Sequence, residues 1–151
     1  MAAYDPDNIF AKMLKGEIPC HKLYEDDDTL AFLDIMPRTQ GHALVITKEP
    51  APDLFGIPPE GLAKLMGVVQ KLAPKIKEAV GADGVLIQQF NGAAAGQTVF
   101  HLHFHIIPRK DGVPMGPEGA KMADPDALAA TAEKIRKHMH ADEIRGEAGH
   151  G

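Results

Sequence analysis

A chain of 151 residues, 44% hydrophobic and 25% charged, is sized and composed for one globular domain. Its 16 Lys and Arg against 21 Asp and Glu leave a formal charge of −5, the wrong sign for sequence-blind binding to nucleic acid. One Cys excludes an internal disulfide framework and a multi-cysteine zinc site, and no apolar run nears the ~20 residues needed to cross a bilayer.

The opening MAAYDPDNIF has no basic stretch followed by an apolar one, so no signal peptide is expected and a cytoplasmic location is. Residues 8–15 predict a short helix, capped by Asp7 or Asn8, stopped at Gly16, with Ile9, Phe10, Met13 and Leu14 on one stripe. Residues 22–24 read as a short strand, and the acidic run at 25–28 as a solvated turn rather than a metal site. Residues 29–35 form a β-rich segment that Pro37 ends, and residues 41–47 form the next strand around Val45 and Ile46. Four prolines between 49 and 59 argue against regular structure there.

The longest helix starts near Pro59, with Leu62, Leu65, Met66, Val69, Leu72, Ile76 and Val80 at spacings of three and four. Gly81 is its stop, and Pro74 inside it predicts a kink. Residues 84–90 and 98–108 are the two strongest strands, joined as a hairpin by the Gly/Ala-rich segment at 91–96. A last helix spans roughly 126–140, capped by Asp124 or Asp126, with Leu128, Ile135 and Met139 inward. The expected organisation is one domain over 1–140 and a flexible tail over 141–151. Short turns between most strands point to an α+β fold on a mainly antiparallel sheet.

His101, His103 and His105 alternate with Leu102 and Phe104 and lead into Ile106, Ile107 and Pro108. On a strand the three imidazoles share one face, about 7 Å apart, while Leu102, Phe104 and Ile106 face the core. The plain alternative is a solvent-facing strand that happens to carry His, a purpose that Ser, Thr or Lys would serve equally well. Three imidazoles can bind a metal. They can also divide covalent catalysis, with one attacking, one handling charge or the leaving group, and one orienting the attacker. Crowding favours a neutral ring, which is a competent nucleophile. The upstream Asn91, Gly92, Gly96, Gln97 and Thr98 offer backbone and neutral donors suited to an anion such as phosphate. No Asp or Glu stands between Gly84 and Pro108, which weakens the metal reading. His42 matters only if its strand borders 101–105.

The run His101-Leu102-His103-Phe104-His105-Ile106-Ile107 resembles the H-φ-H-φ-H-φ-φ signature of the histidine triad (HIT) superfamily of nucleotide hydrolases and transferases. The likeness extends over residues 8–108, through Asn8-Ile9-Phe10, Gly16-Glu17-Ile18-Pro19, Tyr24-Glu25-Asp26, the stretch from Ala31 to Ile35, Pro37 and Gly41-His42. Asn91-Gly92, Gly96-Gln97-Thr98 and Pro108-Arg109 bracket the triad, and the pattern is most similar to the Hint branch of purine nucleoside phosphoramidate hydrolases.

This resemblance implies a five-stranded antiparallel sheet with helices, and a homodimer built through the long helix and a central strand. It implies a two-step reaction in which His103 attacks the α-phosphorus of a nucleoside 5′-phosphoramidate or related adenylate. A nucleotidyl-histidine forms, and water then releases the nucleoside monophosphate. His105 would contact phosphate and leaving group, and His101 and His42 would orient His103 through a hydrogen-bond relay. Asn91, Gly96, Gln97 and Thr98 would hold phosphate oxygens. Asp34 would accept from the ribose hydroxyls, and Ile9, Phe10, Ile18, Phe32 and Ile35 would line the base pocket. No metal or other cofactor is expected, nor a structural zinc, because Cys20 stands alone; it reads as a small, half-buried residue. His138 and His140 fall on different helix faces and suggest no site. Three other readings stand beside this one: a dinucleoside polyphosphate hydrolase, a nucleotide-binding regulatory protein with incidental catalysis, and a metal-dependent hydrolase using the triad as ligands.

Overall fold

The computed structural model describes residues 3–117 and 121–149, with side chains through residue 139. Asn8 caps α1 (Ile9–Leu14), its Oδ1 accepting from Ala11 N at 2.9 Å. Five strands follow: β1 (Lys22–Glu25), β2 (Thr29–Leu33), β3 (Ala43–Thr47), β4 (Gly84–Gln88) and β5 (His103–Arg109). They form one antiparallel sheet in the order β1-β2-β3-β5-β4. Two further helices, α2 (Pro59–Val80) and α3 (Pro125–Gly149), complete the α+β architecture.

The period-two alternation of strand side chains divides the core. Ala31, Leu33, Ala43, Val45, Phe104 and Ile106 face α2 and α3, where they bury against Leu65, Leu72, Ile76, Leu128 and Ile135. Each Val, Leu, Ile or Phe side chain so removed from water contributes about 1.5–3 kcal/mol, so this layer is the main source of stability. Leu30, Phe32, Leu44 and Ile46 face the other way and meet Phe10 of α1 in a smaller cluster. α1 is too short to cover that face, and a cleft opens there.

Several expectations change in detail. α2 runs from Pro59 through exposed Pro74 to Val80. The proline-rich stretch is not wholly irregular, since Asp53 Oδ1 accepts from Phe55 N and caps a 3-10 turn at Leu54–Gly56. α3 continues to Gly149, beyond the end expected near His140. The largest difference lies before β5. Residues 89–102 form a loop rather than a tight hairpin, because the chain there bonds to the proline-rich segment instead of to β4. Leu102 N donates to Ala51 O at 2.8 Å, and the buried Gln97 amide donates to Pro52 O at 2.7 Å. His101 therefore lies outside the strand that carries His103 and His105.

Candidate active site

β3 pairs with β5 in the register Leu44↔His105 and Ile46↔His103. His103 and His105 thus rise from the sheet on the same face as Leu44, Ile46 and Phe32, and their ring centroids are 5.1 Å apart. The same register brings His42, just before β3, to His105, with Nε2 and Nδ1 separated by 2.9 Å. His101 reaches the group from its loop. It is fully buried against Tyr4 and Phe10, and Phe10 also lies edge-on to His103 at 5.0 Å.

The partners of these rings assign their protons. Arg38 N donates to His42 Nδ1 at 3.1 Å, so the His42 proton resides on Nε2 and is donated to His105 Nδ1. His105 must then carry its own proton on Nε2. His103 Nδ1 lies 2.6 Å from the carbonyl oxygen of His101 and donates to it, which leaves Nε2 as a bare lone pair. His101 Nε2 donates to Thr47 O at 2.7 Å, and its Nδ1 accepts from the Tyr4 hydroxyl at 2.9 Å.

This network requires neutral rings, and the surroundings supply them. Burial pushes the His42 pKa down to about 4, helped by the Arg38 guanidinium. Burial takes His105 down to about 3, with His103, His42 and Arg38 adding to the effect. Burial also lowers His101 and His103, partly opposed by their hydrogen bonds to Thr47 O and His101 O. Around neutral pH the site offers one imidazole with an unprotonated nitrogen beside one with an N–H free to donate a hydrogen bond.

The cleft in front of them has a volume of about 180 Å³. His103, His105 and His42 form one end of it, and Ile9, Phe10, Phe32 and Ile35 contribute apolar wall. Asp34 also lines it, with Oδ1 accepting from Met36 N at 2.9 Å and Oδ2 at 3.6 Å from His42 Nε2. Since His42 is neutral, that last contact is not an ion pair. Thr98 is exposed at the rim.

Other predicted site residues stand elsewhere. Ile18 is half-buried outside the cleft wall. Asn91 and Gln97 spend their side chains on the loop itself. Asn91 Oδ1 accepts from Leu54 N at 2.8 Å and its amide pairs reciprocally with Gln89, while Gln97 Oε1 accepts from Gly92 N at 2.7 Å. Gly96 lies exposed in the same loop. The relay expected from His42 to His103 runs instead to His105, and His101 orients His103 through its backbone carbonyl rather than its ring.

Sequence reasoning missed Tyr4, Arg38, and Cys20 as part of the cleft. No local pattern marks them; Tyr4 meets His101 across 97 residues of chain. Burial raises the Cys20 thiol pKa, which makes it a poor nucleophile. His138 pairs with Glu78 at 2.8 Å, away from this site, and the His140 side chain lies outside the described residues.

A family model for the HIT domain matches residues 15–112. The chain belongs to the HIT family. Among curated HIT relatives, it is 46% identical over 105 residues to adenylylsulfatase HINT3 of Arabidopsis thaliana, covering 70% of this chain and 53% of that one. It is 46% identical over 101 residues to adenosine 5′-monophosphoramidase hnt1 of Schizosaccharomyces pombe, covering 67% of this chain and 73% of that one. The chain thus spans about half the length of the Arabidopsis protein. A crystal structure of a HIT-like protein from Bartonella henselae superposes with a TM-score of 0.84 at 46% identity, over 90% of this chain and 99% of that one. No described helix is long and apolar enough to cross a membrane.

Against the triad as a metal cage stands the tautomer network. Among the described residues, the group whose ligand atoms come within 4.8 Å of one another is Asp34, His42 and His105, not the triad. A cation there would need the His42 Nε2 lone pair. That moves the proton to Nδ1, head-on to the Arg38 N–H.

Proposed function

We propose that this HIT-family hydrolase cleaves nucleoside 5′-phosphoramidates and related adenylates at the α-phosphorus through a covalent nucleotidyl-His103. One observation carries the reading: His103 Nδ1–H is committed to the His101 carbonyl at 2.6 Å, leaving a bare Nε2 beside a proton-bearing His105. Nε2 of His103 forms the bond to phosphorus as the bond from phosphorus to the leaving nitrogen breaks. His105 Nε2–H hydrogen-bonds the leaving nitrogen, which departs as the amine on a proton drawn from solvent, so His105 stays neutral. The N-phosphorylated His103 ring becomes cationic, and its Nδ1–H strengthens its bond to the His101 carbonyl. Water then attacks phosphorus, releases its proton to solvent, and frees His103 and the nucleoside monophosphate. Asp34 suits a ribose diol, because a carboxylate accepts from both hydroxyls. The apolar wall of Ile9, Phe10, Phe32 and Ile35 suits a purine base. With Asn91 and Gln97 occupied, Thr98 and loop backbone amides are left to meet phosphate oxygens.

The named activities of the relatives support the substrate class. The edge position of β4, with exposed Ile87, supports pairing of two copies through β4 and α2, which light scattering at graded concentration tests. The decisive experiment is incubation with adenosine 5′-phosphoramidate, with intact-protein mass spectrometry and assay of released AMP. The expected result is AMP release that survives EDTA, an adenylyl adduct on the wild-type chain, and neither in His103→Ala. Absence of both adduct and AMP from the wild-type chain overturns the proposal.

A further inference from the structure

A second groove, of about 290 Å³, adjoins the cleft and shares Arg38 with it. Lys110, Thr39, Gln40, Pro108 and Val113 are also in its wall. That wall holds two cations and no carboxylate, in a chain whose acids outnumber its bases. Arg38 is held in place on several sides. Its Nε donates to Gly116 O at 3.0 Å, Gly116 N donates back to Arg38 O at 2.8 Å, and its own N is the donor to His42 Nδ1. A Cβ on Gly116 would come within 3.2 Å of the Arg38 carbonyl oxygen, so the strap fits closely there. A guanidinium fixed before binding pays little entropy to engage an anion, and its planar fork suits phosphate, sulfate or carboxylate.

The sequence of contacts from His105 through His42 to Arg38 leads from the reacting centre to this groove. In-line attack by His103 drives the leaving group away from itself, toward the His105 side. Asp34, on the same flank, marks the ribose side. We propose that Arg38 and Lys110 form a subsite for a second anionic group of the nucleotide substrate, beyond the reacting phosphate. The subsite deepens the proposed function and rests on it. The anion has two possible sources, the leaving group or a phosphate on the ribose, and the test separates them.

Dissociation constants for 5′-AMP, ADP and adenosine 3′,5′-bisphosphate are measured by calorimetry at low salt on the wild-type chain, Arg38→Gln, Lys110→Gln and Arg38→Lys. The wild-type chain is expected to bind at least one of the two doubly phosphorylated probes about tenfold more tightly than AMP, the size of one charge-assisted contact. Preference for ADP assigns the subsite to the leaving group, and preference for the 3′,5′-bisphosphate assigns it to the ribose. That preference should shrink in Arg38→Gln and Lys110→Gln and persist in part in Arg38→Lys. Equal affinity for all three probes on the wild-type chain, or a preference unchanged by both neutral variants, overturns the inference. Failure of AMP itself to bind instead overturns the nucleotide reading on which it rests.

Discussion

His42 performs two separable jobs, and two substitutions divide them. Its Nδ1 accepts from Arg38 N at 3.1 Å, and its Nε2–H donates to His105 Nδ1 at 2.9 Å. In His42→Asn the amide oxygen falls near the old Nδ1, so the Arg38 N–H keeps its acceptor while His105 loses its donor. In His42→Gln the amide nitrogen falls near the old Nε2, so His105 keeps its donor while the Arg38 N–H is orphaned. His42 is only 2% exposed, so water cannot replace either partner. An orphaned buried donor costs about 1–3 kcal/mol. In a domain of this size that lowers Tm by about 3–10 °C. His42→Gln is therefore expected to be the less stable variant in differential scanning calorimetry. Its kcat should stay within about tenfold of wild type, because His105 retains the tautomer with a proton on Nε2. His42→Asn should melt closer to wild type yet lose about 100-fold in kcat, within the ~1.5–3 kcal/mol of a hydrogen bond to a group that gains charge. Steady-state hydrolysis of adenosine 5′-phosphoramidate gives the second comparison. Equal kcat in the two variants, or the reverse order, refutes the assignment of the His105 proton through His42.

The depressed imidazole pKa values set a pH window. Neutral rings are favoured in the folded state, so their contribution is fully present above the unfolded value near 6.5 and is lost as pH falls toward 4 and 3. For His42 alone the loss by pH 4 is on the order of 3 kcal/mol, to be read from urea midpoints at pH 7.5 and 4; a flat stability profile contradicts it. The acid limb of kcat/KM should also fall below 6.5, because the nucleophile His103 titrates low. Gly41→Ala should destabilise strongly. Gly41 sits at φ +87°, and an added Cβ would lie 3.0 Å from Val80 Cγ1 and 3.3 Å from Pro108 Cγ. Backbone strain and collision combine just before His42, so Tm and activity are expected to fall together. A variant that melts like wild type would show that this turn has room to adjust.

Local order was legible in the residues alone. Helices at a spacing of three and four, strands at a spacing of two, Asn8 as a cap and Gly81 as a stop all depend on near neighbours, and, apart from the end of α3 and the start of β5, the structure places them within a few residues of expectation. The chemistry of an imidazole row was legible for the same reason, since His103 and His105 share a face through strand alternation alone. What only the tertiary structure decided is where the protons of His105 and His101 sit. That depends on the register of β3 against β5, which joins His42 to His105 across 63 residues, and on a loop that carries His101 to Thr47 across 54. Other long-range contacts occupy the Asn91 and Gln97 side chains within the loop and tie Arg38 to Gly116 across 78 residues. Periodicity records which face a side chain takes; hydrogen-bond direction is set by the group each ring nitrogen meets, which for His101 and His105 lies far away in sequence.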